Sequence, residues 1–173
     1  MAMAMSINGM ICLPDGSEPF LSVAGGRLNA QIIRDTGSLI WGRRTYENVL
    51  QRYNGTDEME LSSLIQDIPK VVVSRDPDYR VVEGYTHATS PKEAIDLLAS
   101  QGLQAVAVVG GSQLNAAFLE AGLVDEIIVD IEPAIIGHGV PLLAQTELQV
   151  KTSLVSVDRV NDGELLVRYK IIK

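Results

Sequence analysis

The chain has little cysteine and little histidine, which limits the chemistry open to it. Its 173 residues include one cysteine, Cys12, and two histidines, His87 and His138. A lone cysteine cannot form an internal disulfide, so we expect a reducing, cytoplasmic environment and interpret Cys12 as a small buried hydrophobe. We interpret His87 as structural or solvated and His138 as an exposed loop residue. Two isolated histidines, without nearby cysteines or paired carboxylates, predict no metal site.

Positive charge and long apolar runs are also scarce. The chain has 14 Lys and Arg against 22 Asp and Glu, a formal net charge of −8. This charge argues against nucleic acid as a partner, because binding a phosphate backbone needs a basic stripe. No apolar run reaches the ~18 residues of a membrane-spanning helix. The apolar start, residues 1–13, has no basic region before it, so we interpret it as a strand and turn rather than a signal peptide.

The remaining pattern alternates short apolar runs with helical periodicity, which predicts one α/β domain over residues 1–173. We expect a mixed, mostly parallel sheet with helices on both faces, closed by a C-terminal antiparallel hairpin through Asn161-Asp162-Gly163. Trp41 and Phe118 are expected in the core. Strands are predicted at 38–41, 70–74, 105–109, 124–131, 149–157 and 164–172, and helices at 27–35, 44–51, 61–65, from 91 to Gly102, and from 112 to Gly122.

Polar segments rich in glycine, serine and arginine follow three of these strands. Glycine lets a backbone approach a ligand closely, and amide groups at the start of a helix bind anions. Parallel strands bring such segments to one edge of a sheet, where they would form a local positive pocket in an acidic protein. We call them the first junction (Gly42-Arg43-Arg44-Thr45), the second junction (Ser74-Arg75) and the third junction (Gly110-Gly111-Ser112, followed by Gln113).

Each junction alone also has a purely structural interpretation, as a strand-to-helix turn or a capping serine beside a solvated arginine. Ser74 and Arg75 nevertheless suit a phosphate monoester such as the 2′-phosphate of NADPH, whereas the free ribose of NAD usually calls for a carboxylate. The two glycines of the third junction fit close passage of a pyrophosphate. They do not form the GxGxxG fingerprint, which disfavours an ordinary Rossmann domain.

Taken in order, these segments resemble the dihydrofolate reductase superfamily, and more closely its pyrimidine reductase branch. That branch includes the C-terminal reductase domain of the riboflavin-biosynthesis deaminase-reductase. The chain lacks any deaminase zinc signature, so we expect a single reductase domain. The resemblance covers nearly the whole chain and is carried by residues 4–9, 41–47, 71–75, 108–114, 122–126, Pro133 and 137–142.

The resemblance implies NADPH as hydride donor and a C=N or C=O bond in a small heterocyclic or ribosylated substrate as acceptor. The leading substrate is 5-amino-6-(5-phosphoribosylamino)uracil, and the family often forms homodimers. The residues of all three junctions, including Gln113, would bind the cofactor. Ser6, Asn8 and Gly9 would lie beside the nicotinamide and the substrate. Because the substrate is anionic, Arg27 and Arg34 are candidate substrate contacts.

Two departures from the family pattern leave alternatives open. Many pyrimidine reductases have aspartate at the position of Asn8 and a basic residue at that of Met10. Asparagine can hydrogen-bond a substrate but cannot donate a proton near neutral pH, so a non-catalytic NADPH-binding domain stays an alternative. A dihydrofolate reductase-like enzyme is the other, although Asp15, Glu18 and Asp35 are poorly placed for the helix carboxylate that it would need.

Overall fold

Four helices lie within residues 1–52 and 65–173, the part of the chain that this computed structural model describes. The helix predicted at 61–65 falls almost entirely outside that part. Each described helix overlaps a predicted one. Their bounds are α1, Val23–Thr36; α2, Arg43–Arg52; α3, Pro91–Ser100; and α4, Ser112–Glu120.

Helix α1 begins four residues before its predicted start. The Ser22 hydroxyl accepts a hydrogen bond from the Gly25 amide at 2.8 Å and so caps the helix. Two residues of this first turn, Gly25 and Gly26, have low helix propensity, which hid the turn from a pattern-based prediction. The helix ends at Gly37, whose φ of +84° is left-handed, as in many helix C-caps.

Ten strands form three sheets in the described residues. A parallel sheet has the order β5-β4-β3-β6, a mixed sheet has the order β1-β7-β10-β9, and β2 pairs with β8. Helices and strands therefore form the predicted α/β domain. The strands are β1, Ala2–Ser6; β2, Met10–Cys12; β3, Leu39–Gly42; β4, Lys70–Val73; β5, Thr86–Ala88; β6, Ala107–Val108; β7, Glu126–Glu132; β8, Val140–Pro141; β9, Thr152–Arg159; and β10, Leu165–Ile171.

The parallel sheet has helices on both faces, as predicted. Ile40 of β3 is fully buried in a cluster with residues of α3 and α4, Phe118 among them. Its neighbour Leu39 belongs to a second cluster, with Ile33 of α1 and Tyr46 of α2. Successive residues of a strand point to opposite faces, so this alternation makes β3 a central strand covered on both sides.

The mixed sheet ends in the predicted C-terminal hairpin. Strand β7 pairs in parallel with β1 and antiparallel with β10, and β10 pairs antiparallel with β9. Helix α1 covers one face of this sheet, where Ile32 and Leu28 pack near Ile128.

No helix in the described part of the chain is long and apolar enough to cross a membrane.

Candidate functional site

The three junctions lie at the same edge of the parallel sheet. Strand β3 is flanked by β4 and β6, and all three run in the same direction. Gly42, at the end of β3, is in register with Val73, the last residue of β4. The segments that follow the three strands therefore emerge side by side, as the sequence predicted.

The first and third junctions are in direct contact. The Gly42 amide donates a hydrogen bond to the Gly110 carbonyl at 2.8 Å. A Cβ atom placed on Gly111 would lie 3.3 Å from Oγ1 of Thr45. The two backbones thus form one continuous surface above the ends of β3 and β6.

The third junction presents hydrogen-bond donors that the described residues do not use. Gly111 is the N-cap of α4, and no side chain caps this helix. The Ser112 hydroxyl is buried and has no hydrogen-bond partner among the described residues. Free amides and a hydroxyl at a helix N-terminus are the usual components of a phosphate site.

Gly110 has a backbone conformation that favours glycine. Its φ is +70°, in the left-handed region. A Cβ atom at this position would lie 2.9 Å from Cε of Met3 on β1. The third junction is therefore also packed against the first strand of the mixed sheet.

An arginine of the first junction contacts the loop after the second junction. The guanidinium carbon of Arg43 lies 5.7 Å from the ring centroid of Tyr79 and its Nε lies 3.8 Å from the Glu47 carboxylate. The Tyr79 hydroxyl donates a hydrogen bond to Glu47 at 3.0 Å. Burial, together with this bond, raises the pKa of Tyr79 to about 12, so the phenol stays a neutral donor. Arg44 is exposed on the next position of α2.

The second junction has a buried serine and an exposed arginine. The Ser74 amide donates to the Ala88 carbonyl at 3.0 Å, and its hydroxyl accepts from the Asp76 amide at 3.3 Å. Nε2 of His87 lies 3.2 Å from the Ser74 carbonyl, which gives His87 the structural place that we predicted. Arg75 extends into solvent at the same edge as Arg43 and Arg44.

The predicted substrate side is centred on the turn between β1 and β2, and Asn8 links this turn to the loop after β7. The Asn8 amide donates to the Ile136 carbonyl at 2.8 Å and its oxygen accepts from the Ile136 amide at 3.0 Å. The buried Ser6 hydroxyl donates to the same Asn8 oxygen at 2.9 Å. Asn8 thus holds the turn, including Gly9, against the loop after β7.

An open cavity of about 490 Å³ lies beside that turn. Its walls are mainly apolar and come from the loop after β2 and the loop after β7. His138 is exposed on its rim, and the half-buried Cys12 precedes one wall. The lining residues are Leu13, Pro19, Phe20, Ala134, Ile135, Ile136, Gly137 and His138.

The two candidate substrate arginines lie at different ends of α1. Arg27 is in the second turn and Arg34 is in the last turn. Seven residues of α-helix separate them by about 10 Å. Because α1 runs towards the start of β3, Arg34 lies away from the sheet edge that carries the junctions. The structure does not bring it to the site.

Three buried carboxylates meet under the first turn of α1, and the sequence did not predict this cluster. Asp130 and Glu132 come from β7 and Glu164 precedes β10; they are 1%, 1% and 3% exposed. We call these three residues the buried acidic cluster. Burial, with the charges of Glu132 and Glu164, raises the pKa of Asp130 to about 6, and burial also raises the pKa of Glu132. In sequence these acids alternate with apolar residues in β7, a pattern that by itself is typical of a strand with one solvated face.

The chain matches a known protein family over most of its length. Residues 1–166 match the model of the RibD C-terminal domain. The chain belongs to the RibD C-terminal domain family. This family supplies the reductase domain of riboflavin-biosynthesis enzymes, so the resemblance seen in the sequence is confirmed.

Solved structures confirm the fold. A protein from Shewanella sp. PV-4 named for riboflavin biosynthesis has a TM-score of 0.79 at 21% identity, over 99% of this chain and 97% of that one. A pyrimidine reductase-like protein from Corynebacterium diphtheriae has a TM-score of 0.74 at 18% identity, over 99% and 90%. In sequence, the chain is 26% identical to YwjB, an uncharacterized protein of Bacillus subtilis (strain 168), over 87% of this chain and 85% of YwjB.

Proposed function

We propose that the protein is an NADPH-dependent reductase that transfers a hydride to a small heterocyclic or ribosylated substrate, with 5-amino-6-(5-phosphoribosylamino)uracil as the leading candidate. The observation that carries the proposal is the third junction. There a helix N-terminus without a side-chain cap and the buried Ser112 hydroxyl, which has no partner among the described residues, lie at the edge of a parallel sheet. Membership of a reductase family supports the same activity.

The residues of the junctions fit a dinucleotide. The pyrophosphate would lie against Gly110, Gly111 and the first-turn amides of α4, where donors are free. Gln113, exposed in that turn, would contact the same group. The first junction would add guanidinium groups, each worth about 1.5–3 kcal/mol per charged hydrogen bond where it is partly shielded.

The second junction would select NADPH over NADH. Its serine is held by backbone contacts at the end of β4, and its arginine is free to turn towards a ligand. A 2′-phosphate carries up to two negative charges, which a guanidinium fork matches in geometry. The carboxylate nearest to this junction in sequence, that of Asp76, accepts a hydrogen bond from the Asp78 amide at 3.0 Å within its own turn.

NADPH would supply the hydride, and the chain would supply orientation and electrostatics. Ser6 and Gly9 would lie beside the reacting groups. Asn8 stays neutral at any physiological pH and cannot donate the proton that completes reduction. Since its amide is already bound to Ile136, we assign it to positioning of the turn. Arg27 is the retained candidate for an anionic substrate group.

One observation favours a second function, an NADPH-binding domain without turnover. The residue at the substrate-side turn is Asn8. Its side-chain oxygen and nitrogen form hydrogen bonds within the protein and do not point into open space. A folate reductase is less favoured, because the first turn of α1 has no acidic residue.

We also propose that the chain forms a homodimer through β9. This strand is at the edge of the mixed sheet, and its Leu154, Val155 and Val157 are 59%, 56% and 52% exposed. An exposed apolar edge strand is a template for pairing with another chain. Val157→Lys should shift the sedimenting species from dimer to monomer, whereas Val82→Lys, at another exposed apolar position, should not.

A reductase assay separates these functions. The purified chain is incubated with NADPH and either the phosphoribosylamino-uracil intermediate or dihydrofolate, and NADPH oxidation is followed by absorbance. We expect oxidation with the first substrate and none with the second. Oxidation with dihydrofolate alone would assign the folate activity. If NADPH binds but is not oxidised in the presence of either substrate, the protein is an NADPH-binding domain without turnover, which contradicts the reductase proposal.

A further inference from the structure

The buried acidic cluster has more negative oxygens than the described residues can pair. Both carboxylate oxygens of Asp130 and one of Glu164 are buried without a hydrogen-bond partner. The charged groups that act on Asp130 are Glu132 and Glu164, both acidic. A buried carboxylate is strongly unfavourable unless a cation, a donor or a proton compensates it.

The protein contributes some compensation, but too little. The Ser22 amide donates to Oε1 of Glu132 at 2.9 Å, the side chains of Ser22 and Asn161 hydrogen-bond to Glu164, and a hydrogen bond joins Glu132 to Glu164. The N-terminus of α1 adds a partial charge of about +0.5. Glu132 and Glu164 are therefore partly compensated, whereas neither oxygen of the buried Asp130 has a hydrogen-bond partner among the described residues.

The spacing of the carboxylates suits a small cation. One oxygen from each of the three residues lies within 4.8 Å of the other two. Hard divalent cations bind oxygen at about 2.0–2.6 Å, so two ligands on one ion lie at most about 5 Å apart. The three carboxylates meet this limit without any movement of the backbone.

The surrounding backbone leaves room for this arrangement only because α1 has glycine at its third position. A Cβ atom on Gly25 would lie 2.3 Å from Oε1 of Glu132 and 2.7 Å from Oδ2 of Asp130. The glycine thus allows the helix to approach the carboxylates closely. A shared ion would join β7, which carries Asp130 and Glu132, to Glu164, the residue before β10.

We propose that the buried acidic cluster binds one divalent cation with a preference for oxygen ligands, such as Mg²⁺, Mn²⁺ or Ca²⁺. The ligands are Asp130, Glu132 and Glu164. This replaces the sequence-based expectation of no metal site, which considered only cysteines and paired carboxylates near the two histidines. Since such cations take six or more oxygens, water or a bound ligand completes the coordination. The site is separate from the junctions, and the proposal does not depend on the reductase function.

The test is a Mn²⁺ titration of the whole chain after chelator treatment and dialysis, followed by calorimetry and by the EPR signal of free Mn²⁺. We expect one saturable site per chain at Mn²⁺ concentrations below about 1 mM. Asp130→Asn and Glu164→Gln should each weaken binding by at least about tenfold. Asp96→Asn, which removes an exposed carboxylate on α3, should leave binding unchanged.

Stability measurements keep the test decisive. In metal-free protein, Asp130→Asn relieves repulsion, so we expect this variant to be folded by circular dichroism and to melt no lower than wild type. Mn²⁺ should raise the melting temperature of wild type and of Asp96→Asn but not of Asp130→Asn. Absence of saturable binding, or equal binding by wild type and Asp130→Asn, would overturn the proposal and leave the cluster as carboxyl groups that share protons.

Discussion

The amide of Gly42 donates a hydrogen bond to the carbonyl of Gly110, 2.8 Å away. This bond joins the residues that follow two neighbouring parallel strands, β3 and β6. It brings the arginines of the first junction and the helix N-terminus of the third junction to one surface. The proposed cofactor site depends on this connection, because it holds the guanidinium groups of the first junction beside the glycine backbone and the Ser112 hydroxyl of the third junction.

A substitution of Ser112 should change the affinity for NADPH with little change in the stability of the free protein. Its hydroxyl is buried without a partner among the described residues, so Ser112→Ala removes no hydrogen bond from the free protein. We expect the free energy of unfolding to change by less than about 1 kcal/mol. A lost bond to a charged phosphate costs about 1.5–3 kcal/mol, which is about tenfold or more in the Kd for NADPH. Calorimetry and thermal melting measure the two effects; unchanged affinity would remove Ser112 from the site.

Arg75 should determine the preference between NADPH and NADH. Arg75→Ala removes the proposed partner of the 2′-phosphate, so we expect the Kd for NADPH to rise about tenfold or more while the Kd for NADH stays within about twofold. Arg80→Ala removes the same charge from an exposed position of the same loop and serves as the control. Equal loss of both cofactors, or equal effects of the two substitutions, would contradict the assignment.

A side chain at position 110 should lower the free energy of unfolding because of the backbone conformation of Gly110. Its φ of +70° costs a non-glycine residue about 1–2 kcal/mol, and Met3 would have to move from the new Cβ atom. We therefore expect Gly110→Ala to lower the free energy of unfolding by at least that amount in urea denaturation. Gly137→Ala is the control, because no atom lies within 4 Å of its added Cβ. Equal stabilities of the two variants would argue against the strain.

Asn8 should matter more for structure than for proton transfer. Asn8→Asp keeps an acceptor for the Ile136 amide but replaces the donor to the Ile136 carbonyl with a negative oxygen. We expect a loss of about 1–3 kcal/mol in unfolding free energy, since a polar contact becomes repulsive. A variant as stable as wild type, with faster NADPH oxidation, would show instead that an acid is the preferred residue for catalysis here.

The sequence was sufficient to predict the parts of the fold that local pattern determines. The continuous apolar runs of β3 and β4, the cap and proline before α3, and the turn before β10 all correspond to elements close to their predicted places. Three short strands, β2, β5 and β8, were not predicted separately. Strands of two or three residues have no measurable periodicity, and their pairing depends on neighbours that are distant in sequence.

The junctions could be predicted from the sequence because strand ends determine their positions. The buried acidic cluster could not be predicted because a helix covers it. Parallel strands place the three junctions together by topology alone. In β7, by contrast, Asp130 and Glu132 alternate with Val129 and Ile131, a pattern typical of a strand with one face in water. Helix α1 covers that face, and nothing local to β7 indicates this. Arg34 is the opposite case, a basic residue near the site in sequence but at the far end of α1 in space.

The central claim is that the junctions form an NADPH site, and the most direct measurement compares the melting temperature of the chain with each cofactor. At a concentration 100 times its Kd, NADPH should add about 2.7 kcal/mol of stability. For a domain of this size that corresponds to a rise of about 5–10 °C. NADH at the same concentration should produce a much smaller rise. Equal rises would contradict the role of Ser74 and Arg75, and no rise with either cofactor would contradict the site as a whole.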